Sequence, residues 1–411
     1  MFETLRAYPR AFKVLVASAL IENMAFGLII PYLTIYMTAD IRISDAAAGV
    51  VLMGYTLSGI PGAIFGGMLA DKIGRRTVLL ISLGLMSITI LMYFFAFDFV
   101  SLLVVALADS FAGSLYMPAS SAMIADVIPP EKRPQAYSTQ RIAWNVGFIF
   151  GPAAGAALVA SASIRELFIF GAVILVGAFT MNFFFIPETK PDTTGEAVTF
   201  GKVAEVRKNK PFLLICVMSG VFWFCSTQFM SVFPVYVTRD LRLPESDPGI
   251  LWAISGVMIV LLQLWVTSRA VKLRRSLVLM VGQIVGSIGL GLLFFATGLP
   301  EMIVFVVIMT IGELLYMSIL SAIIADMSPE DKRGIYMGFA GFVQTLGMGA
   351  GMLVGMWLLG ALGTQSEYLW VFFGILGIST SFAYLLFGRM MGPEKDHPSK
   401  FGVPVSTIQS H

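Results

Sequence analysis

The sequence predicts an all-α membrane protein whose twelve transmembrane helices form two six-helix pseudo-repeats. Hydrophobic residues make up 57% of the chain and charged residues 13%, against roughly 25% charged residues in soluble proteins. Apolar runs near the ~20 residues that a helix needs to cross a bilayer recur along nearly the whole length. A polar stretch in the middle of the chain divides these runs into two groups of six.

Each apolar run predicts one helix, and the polar stretch predicts a linker. The first six predicted helices span residues 14–37, 46–70, 77–96, 99–125, 136–160 and 167–186. The second six span residues 212–237, 249–267, 277–299, 302–325, 337–362 and 369–387. The predicted domains are a first bundle, a linker, a second bundle and a tail, at residues 1–186, 187–211, 212–390 and 391–411.

The two halves resemble each other in sequence at an offset of 200 residues. Residues 113–133 match residues 313–333 at eleven of 21 positions, among them Tyr116 and Tyr316. Three glycines of predicted helix 5 recur at the same offset in helix 11. Two parallel repeats of this kind predict a solute site at their interface, near the midplane of the bilayer.

Positive charge predicts the orientation, because Lys and Arg are retained on the cytoplasmic side of short loops. With a cytoplasmic N-terminus, 22 of the 27 Lys and Arg residues lie on that side and four lie outside. Both termini are therefore predicted in the cytoplasm, and Arg141 alone remains inside a predicted helix. Since the basic residues serve this topology, we expect no nucleic-acid partner.

The sequence offers little for covalent catalysis. It contains no G-x-x-x-x-G-K-[ST] loop and no cluster with metal-ligand spacing. Cys216 and Cys225 lie about 13 Å apart along one predicted helix, too far for a disulfide, and both histidines lie in the tail. We expect a transporter rather than an enzyme, with no cofactor and no metal.

Four ionisable residues fall inside predicted helices, where a charge costs about +2.5 to +3.5 kcal/mol even on lenient scales. They are Glu22 in helix 1, Asp109 in helix 4, Arg141 in helix 5 and Glu313 in helix 10. We expect Glu22 and Asp109 to carry a coupling proton, with Glu313 contributing from the second half, because burial favours the neutral form of a carboxylate. Arg141, with Asn145 one turn later, is expected to line the cavity and to pair with Glu22 or Asp109.

Each of these residues also has a plainer interpretation. Glu22 could sit protonated in a packed interface, and Asp109 and Glu313 could hydrogen-bond a neighbouring helix permanently. Arg141 lies about 8 Å from the end of its helix, close enough for its charge to snorkel to the membrane surface.

A dense motif lies between predicted helices 2 and 3, in GGMLADKIGRRTVL at residues 66–79. It resembles the cytoplasmic signature of the major facilitator superfamily, G-x-L-A-D-[RK]-x-G-[RK]-[RK]. The matching residues are Gly67, Leu69, Ala70, Asp71, Lys72, Gly74, Arg75 and Arg76. We expect Gly67 to allow close helix packing and Gly74 to allow a tight turn. An ordinary positive-inside turn is the alternative.

The resemblance implies the fold of this superfamily and a role for the loop. In the family, the carboxylate of the motif meets helix 11, and an arginine pairs with an acid that ends helix 4. Asp126 stands in that place here. We therefore expect Asp71, Arg75 and Asp126 to form a cytoplasmic gate that stabilises the outward-facing state. The matching loop of the second half, TSRAVKLRRS, keeps the basic residues but not the acid.

Two further segments are similar to drug and proton antiporters of the same superfamily. One is the acid some nine residues before a proline in helix 1, which is Glu22 here. The other is GFIFGPAAGAAL in helix 5, which places Gly147, Gly151, Pro152 and Gly155 at the positions of G-x-x-x-G-P-x-x-G. A packing seam with no bearing on transport direction is the alternative for helix 5. Helix 4 departs from the family, because Asp109 replaces its usual arginine.

The resemblance implies a proton-driven efflux antiporter of the multidrug type in the cytoplasmic membrane of a prokaryote. The proton gradient would be its energy source, and a small-molecule substrate, protons and the lipid bilayer its partners, with the chain acting as a monomer. Buried acids beside soft apolar groups suit an amphiphilic or cationic solute. Because helix 4 lacks the arginine, a facilitator or a proton symporter for a specific metabolite is the alternative.

Overall fold

The computed structural model describes residues 8–161, 163–189, 206, 209–329 and 333–397. Within these ranges, twelve helices are long and apolar enough to cross a membrane. The first six, α1 to α6, are Arg10–Asp40, Asp45–Ile73, Arg75–Phe95, Phe99–Val127, Pro130–Val159 and Glu166–Phe185. The second six, α7 to α12, are Lys210–Asp240, Asp247–Ala270, Arg275–Phe295, Leu299–Asp326, Ile335–Gln365 and Tyr368–Met391. A short helix, α13, follows at Pro393–Asp396.

Each of the twelve predicted spans coincides with one of these helices, so the predicted fold class is confirmed. Several helices extend a few residues beyond the apolar run, because the hydrogen-bonded backbone continues into the polar membrane surface where hydropathy no longer marks it. The first helix, for example, begins at Arg10, directly after Pro9.

The two halves repeat each other in backbone geometry as well as in sequence. The first helix of each half ends in a π-helical turn, at Tyr36–Asp40 and at Tyr236–Asp240. Arg42 and Arg242 follow with φ angles of 61° and 55°, in the left-handed region that non-glycine residues rarely adopt. The offset of 200 therefore holds at the start of each half and not only around its fourth helix.

The described residues fall into two compact units, one from residues 1–196 and 244–253 and the other from residues 197–243 and 254–411. In the first unit α1 packs on α5, α2 on α4 and α3 on α6. In the second unit α7 packs on α11, and α9 packs on α10 and α12. The pairings of α1 with α5 and of α3 with α6 thus recur in the second unit.

One segment of the predicted second bundle groups with the first unit, namely residues 244–253 at the start of α8. Gly249 approaches α1 and α5 so closely that a Cβ atom there would lie 2.7 Å from the carbonyl oxygen of Pro152. Trp252 packs on Phe148 with 5.6 Å between ring centroids. A hydropathy pattern does not predict these contacts, because they depend on which side of α8 faces the first unit's interior.

Successive helices alternate in direction, so the α2–α3 turn, the α4–α5 turn and the end of α6 lie at the same end of the first unit as the start of α1. We call this end the N-terminal end of the first unit. The start of α7 and the α8–α9 and α10–α11 turns define the corresponding end of the second unit.

Candidate functional site

A charged clasp centred on Arg75 lies at the N-terminal end of the first unit. The guanidinium of Arg75 lies 3.0 Å from Asp71 Oδ1 and 3.1 Å from Asp126 Oδ2, and it donates a hydrogen bond to the carbonyl oxygen of Ala70. The Arg75 side chain is 7% exposed, against 50% for Asp71 and 25% for Asp126. Gly74, with φ of 104°, turns the chain from α2 into α3. We call Asp71, Arg75 and Asp126 the first clasp; it ties α2, α3 and α4 together.

Glu188, in the segment after α6, binds the same end of the unit. Its carboxylate accepts hydrogen bonds from the backbone N–H groups of Arg76 and Thr77, both at 3.3 Å, where the helix dipole favours an anion. The guanidinium of Arg76 donates to the carbonyl oxygen of Phe183 at 2.7 Å. The sequence predictions missed Glu188, and a lone carboxylate directly after an apolar run was the signal that could have found it.

The expected packing role of Gly67 is wrong. A Cβ atom at Gly67 would meet only the side chain of Pro118, at 3.9 Å, whereas one at Gly66 would lie 2.8 Å from the Cα atom of Leu115. The residue before the motif glycine therefore makes the close approach between α2 and α4. A motif gives residue types and spacing, but it does not give the rotation of the helix about its axis.

A second clasp occupies the matching place in the second unit. Arg275 lies 2.8 Å from Asp326, just as Arg75 pairs with Asp126. Asp396 of α13 accepts hydrogen bonds at 2.8 Å from both the backbone N–H and the hydroxyl of Ser276, and it pairs with Arg274. The second-half loop lacks an acid of its own, and the structure supplies acids from α10 and α13 instead.

Two of the predicted proton carriers lie buried within the first unit. Glu22 of α1 and Asp109 of α4 are each 7% exposed. Asp109 Oδ1 accepts a hydrogen bond of 2.7 Å from the hydroxyl of Thr89 on α3. Tyr55 of α2 lies within electrostatic range of both carboxylates. These four residues, which we call the acid cluster, bring together polar side chains from α1, α2, α3 and α4.

The expected pairing of Arg141 with Glu22 or Asp109 is absent from the described part of the chain. Arg141 and Asn145 are both exposed on α5, whereas the buried face of this helix contains Gly147 and Gly151. Arg141 is therefore rotated away from the packed interior that holds the two acids. The sequence did not predict this orientation of Arg141, because it does not reveal which face of α5 the glycines bury.

Glu313 lies half-buried in α10 and belongs to the second unit. It forms no hydrogen bond or ion pair with any residue that the structure describes. Nor do the described residues contain a group of three His, Cys, Asp or Glu side chains that could hold a metal ion. The contribution of Glu313 to coupling remains a prediction.

The glycines of the helix 5 motif form a seam against α1. A Cβ atom at Gly151 would lie 2.6 Å from the carbonyl oxygen of Met24 and 2.8 Å from the Cα atom of Gly27. Gly147 and Gly155 meet the backbone of α1 one turn before and one turn after, and Pro152 packs on Gly27. Glycine at these positions lets the two helix backbones touch, as small residues do at membrane helix interfaces.

We expect Gly151→Ala to destabilise the protein, because its Cβ atom would meet backbone atoms that can move only if α1 and α5 separate. Overpacking of this kind costs about 1–3 kcal/mol, so the apparent Tm of the purified protein in detergent should fall by several degrees. Gly341→Ala is the matched control, since a Cβ atom there has no neighbour within 4 Å. Equal melting temperatures for the two variants would contradict the seam.

Comparison with known proteins gives one family and a consistent fold. The family model of the Major Facilitator Superfamily matches residues 15–272 and 225–409. YttB of Bacillus subtilis, described as an uncharacterized MFS-type transporter, is 28% identical over 352 residues, which are 84% of this chain and 88% of the relative. The quinolone resistance protein NorA of Staphylococcus aureus is 24% identical over 341 residues, which are 82% of this chain and 86% of the relative.

Solved structures show the same architecture at lower sequence identity. A POT family transporter in complex with 5-aminolevulinic acid has a TM-score of 0.80 at 15% identity, covering 95% of this chain and all of that one. The nucleoside transporter NupG has a TM-score of 0.74 at 16% identity, covering 92% of this chain and 98% of that one. Likeness at these identities concerns the fold alone.

Proposed function

The chain belongs to the Major Facilitator Superfamily, and we propose that within it the chain is a proton-coupled efflux antiporter for small amphiphilic or cationic compounds. As a member of this family it is a membrane transporter of small molecules and not an enzyme. In the proposal it lies in a bacterial cytoplasmic membrane with both termini in the cytoplasm. The excess of Lys and Arg in the loops at the N-terminal end supports this orientation.

The acid cluster is the observation that carries the proposal. Glu22 and Asp109 are buried in an apolar bundle at a depth where a charge is costly. Tyr55 lies within electrostatic range of both carboxylates, and Thr89 donates a hydrogen bond to Asp109. Carboxylates are also the groups available for proton exchange, since both histidines of the chain lie at or after residue 397.

The mechanism follows from the charge of these acids. When Glu22 or Asp109 holds a proton, the carboxyl group is neutral, so its burial among apolar side chains costs little free energy. When the proton leaves, the negative charge attracts a cationic solute, which then stabilises the ionised form. Proton and solute therefore compete for one site, and such competition couples the inward movement of protons to the outward movement of solute during alternating access.

One observation favours a second candidate function. Asp109 occupies the position at which the resemblance leads us to expect an arginine, and it is held by Thr89 rather than by a cation. A proton symporter or a facilitator for a specific metabolite would fit this difference. Under that alternative, solute and proton would move in the same direction, or the proton would not move at all.

Transport into inside-out membrane vesicles tests the proposal. Energised vesicles with an acidic interior should accumulate tetraphenylphosphonium or ethidium, and collapse of the pH gradient with nigericin should release the accumulated compound. Vesicles without the protein are the control. Uptake that is the same with and without the gradient, across a panel that also includes nucleosides and small peptides, would contradict proton-driven efflux.

Since Arg141 is exposed on α5 and, within the described residues, pairs with neither acid, we expect Arg141→Lys to transport within about twofold of the wild-type rate, whereas a loss of about tenfold would show that the planar fork of Arg binds an anionic partner during transport. Arg10→Lys is the matched control: Arg10 is exposed at the start of α1 and stacks over Phe185. Wild-type transport by Arg141→Lys would show that Arg141 merely snorkels to the surface. Initial rates in the same vesicles decide between the two roles.

A further inference from the structure

A second group of buried polar residues lies next to Glu22, toward the N-terminal end of the first unit. It comes from four helices and consists of Ser18, Tyr116, Ser120, Gln140 and Asn182. On α1, Ser18 stands one turn before Glu22, and on α4, which runs in the opposite direction, Ser120 stands one turn after Tyr116. Both serines are thus displaced toward the N-terminal end. We call these five residues the polar chain.

Two amides fix the serines of the polar chain. Gln140 Nε2 donates to the hydroxyl oxygen of Ser120 at 2.6 Å, and Asn182 Nδ2 donates to that of Ser18 at 2.7 Å. Because each serine oxygen already accepts an amide hydrogen, the serine's own hydrogen can be given to another acceptor. On α4, Ser120 lies one turn from Tyr116, so the two side chains share one face of the helix.

Tyr116 connects the polar chain to Glu22. At the offset of 200 the matching residues are Tyr316 and Phe222, whose rings stack with 3.7 Å between centroids, so the repeated fold brings these two positions together. The Tyr116 hydroxyl and Glu22 Oε2 are both buried, and neither has a hydrogen-bond partner among the residues described. A buried polar atom without a partner costs about 1–3 kcal/mol, and native proteins keep few of them. Two such atoms in one polar region of the unit point to a role beyond packing.

The second half lacks the polar chain at the matching positions. At the offset of 200, Ser18, Glu22, Ser120 and Gln140 correspond to Met218, Phe222, Leu320 and Ala340, which are all buried. These four residues belong to one apolar core with Tyr316, on which Phe222 stacks at 3.7 Å between ring centroids. The repeated fold therefore forms with an apolar core in this place, and packing alone does not require the polar chain.

We propose that the polar chain is the route along which a proton passes between Glu22 and the N-terminal end of the first unit, with Tyr116 as the relay. The inference rests on the proposed function, in which Glu22 carries the coupling proton. When Glu22 releases its proton, the Tyr116 oxygen binds it and gives its own proton to a serine oxygen, and the serine passes its proton to water. At each oxygen one O–H bond forms as another breaks, so the chain ends unchanged.

The polar chain runs from Glu22 toward the N-terminal end of the first unit. Asn182 stands three residues before the end of α6, about 5 Å along the helix. Gln140 stands ten residues after the start of α5 at Pro130, about 15 Å along the helix. Glu22 lies deeper than either, so the route leads from the acid cluster toward the end that faces the cytoplasm in the proposed orientation.

Tyr116→Phe tests the relay, because it removes the hydroxyl and keeps the ring. We expect the rate of gradient-driven tetraphenylphosphonium transport in proteoliposomes with this variant to fall by about tenfold or more. This loss is smaller than the roughly 100- to 10,000-fold that a positioned proton-transfer group contributes to a reaction rate. Exchange of labelled for unlabelled tetraphenylphosphonium without a gradient should stay at the wild-type rate. Tyr316→Phe is the matched control, since Tyr316 holds the same position in the second half and hydrogen-bonds Tyr384 at 2.6 Å.

Any of the following results would contradict the proposed relay role of Tyr116. Equal loss of driven transport and exchange in Tyr116→Phe would assign Tyr116 a packing role, and so would an equal loss in Tyr316→Phe. Wild-type driven transport by Tyr116→Phe, in a protein that does couple protons to solute, would refute the relay while leaving the proposed function intact. A wild-type protein without any coupling would refute both.

Discussion

The double variant Glu22→Gln, Asp109→Asn should lose gradient-driven accumulation by at least about 100-fold, equivalent to about 3 kcal/mol in the barrier. Both amides have nearly the size of the acids they replace, so the packing around the acid cluster is kept while neither position can take up a proton. Because the ionised acids also attract the solute in this mechanism, downhill exchange should weaken too, but less than driven transport, since alternating access itself does not need the proton. Each single variant should show a smaller loss, because the remaining acid still titrates.

Glu166→Gln is the control for this experiment. Glu166 is an exposed carboxylate at the start of α6 in the same unit, so its neutralisation changes the net charge without touching the acid cluster. Full gradient-driven transport by the double variant would refute the role of the two acids. An equal loss of exchange and of driven transport would instead show that the acids bind the solute without coupling it to the proton.

Asp71→Asn and Arg75→Met should both shift the conformational equilibrium away from the state closed at the N-terminal end. Removal of one partner from a buried ion pair costs about 3–5 kcal/mol. Since Asp71 is 50% exposed and Asp126 25% exposed, we expect only about 1–2 kcal/mol. That energy corresponds to a population shift of about 5- to 30-fold. Distances between spin labels on the two units measure it.

Asp326→Asn is the matched control for the gate. It breaks the pair with Arg275 in the second clasp, yet the position that matches Asp71 at the offset of 200 is Val271. The second clasp thus lacks the acid on which the gate proposal depends, and we expect lower stability without a shift in populations. Unchanged inward and outward populations in Asp71→Asn, or an equal shift in Asp326→Asn, would refute the gate.

The fold was predictable from sequence because the bilayer sets the length and polarity of each helix. The pairing of Arg75 with Asp126 was accessible for a related reason: a dense motif places the arginine at the start of α3, and Asp126 ends α4. A motif and a helix end of this kind fix where each side chain stands in its helix, so they also indicate which side chains can meet. The second clasp was not predicted, although the offset of 200 places Arg275 and Asp326 at the positions that match Arg75 and Asp126.

The remaining features depend on contacts between distant segments and on helix rotation. Glu188 and Asp396 lie far along the chain from the helix starts they bind, and no periodicity joins them. Arg141 was expected beside the acids because its helix position allowed it, yet α5 turns that residue outward. The choice between Gly66 and Gly67 likewise needed the rotation of α2, which a motif does not record.

Proton movement driven by the solute tests the central claim most directly. Proteoliposomes containing the purified protein and a lumenal pH dye would receive tetraphenylphosphonium outside, with valinomycin and potassium clamping the membrane potential. As the solute enters down its gradient, proton antiport predicts that protons leave and the lumen becomes alkaline, in the wild type but not in the Glu22→Gln, Asp109→Asn variant. A lumen that acidifies, or whose pH stays constant while solute enters, would contradict antiport.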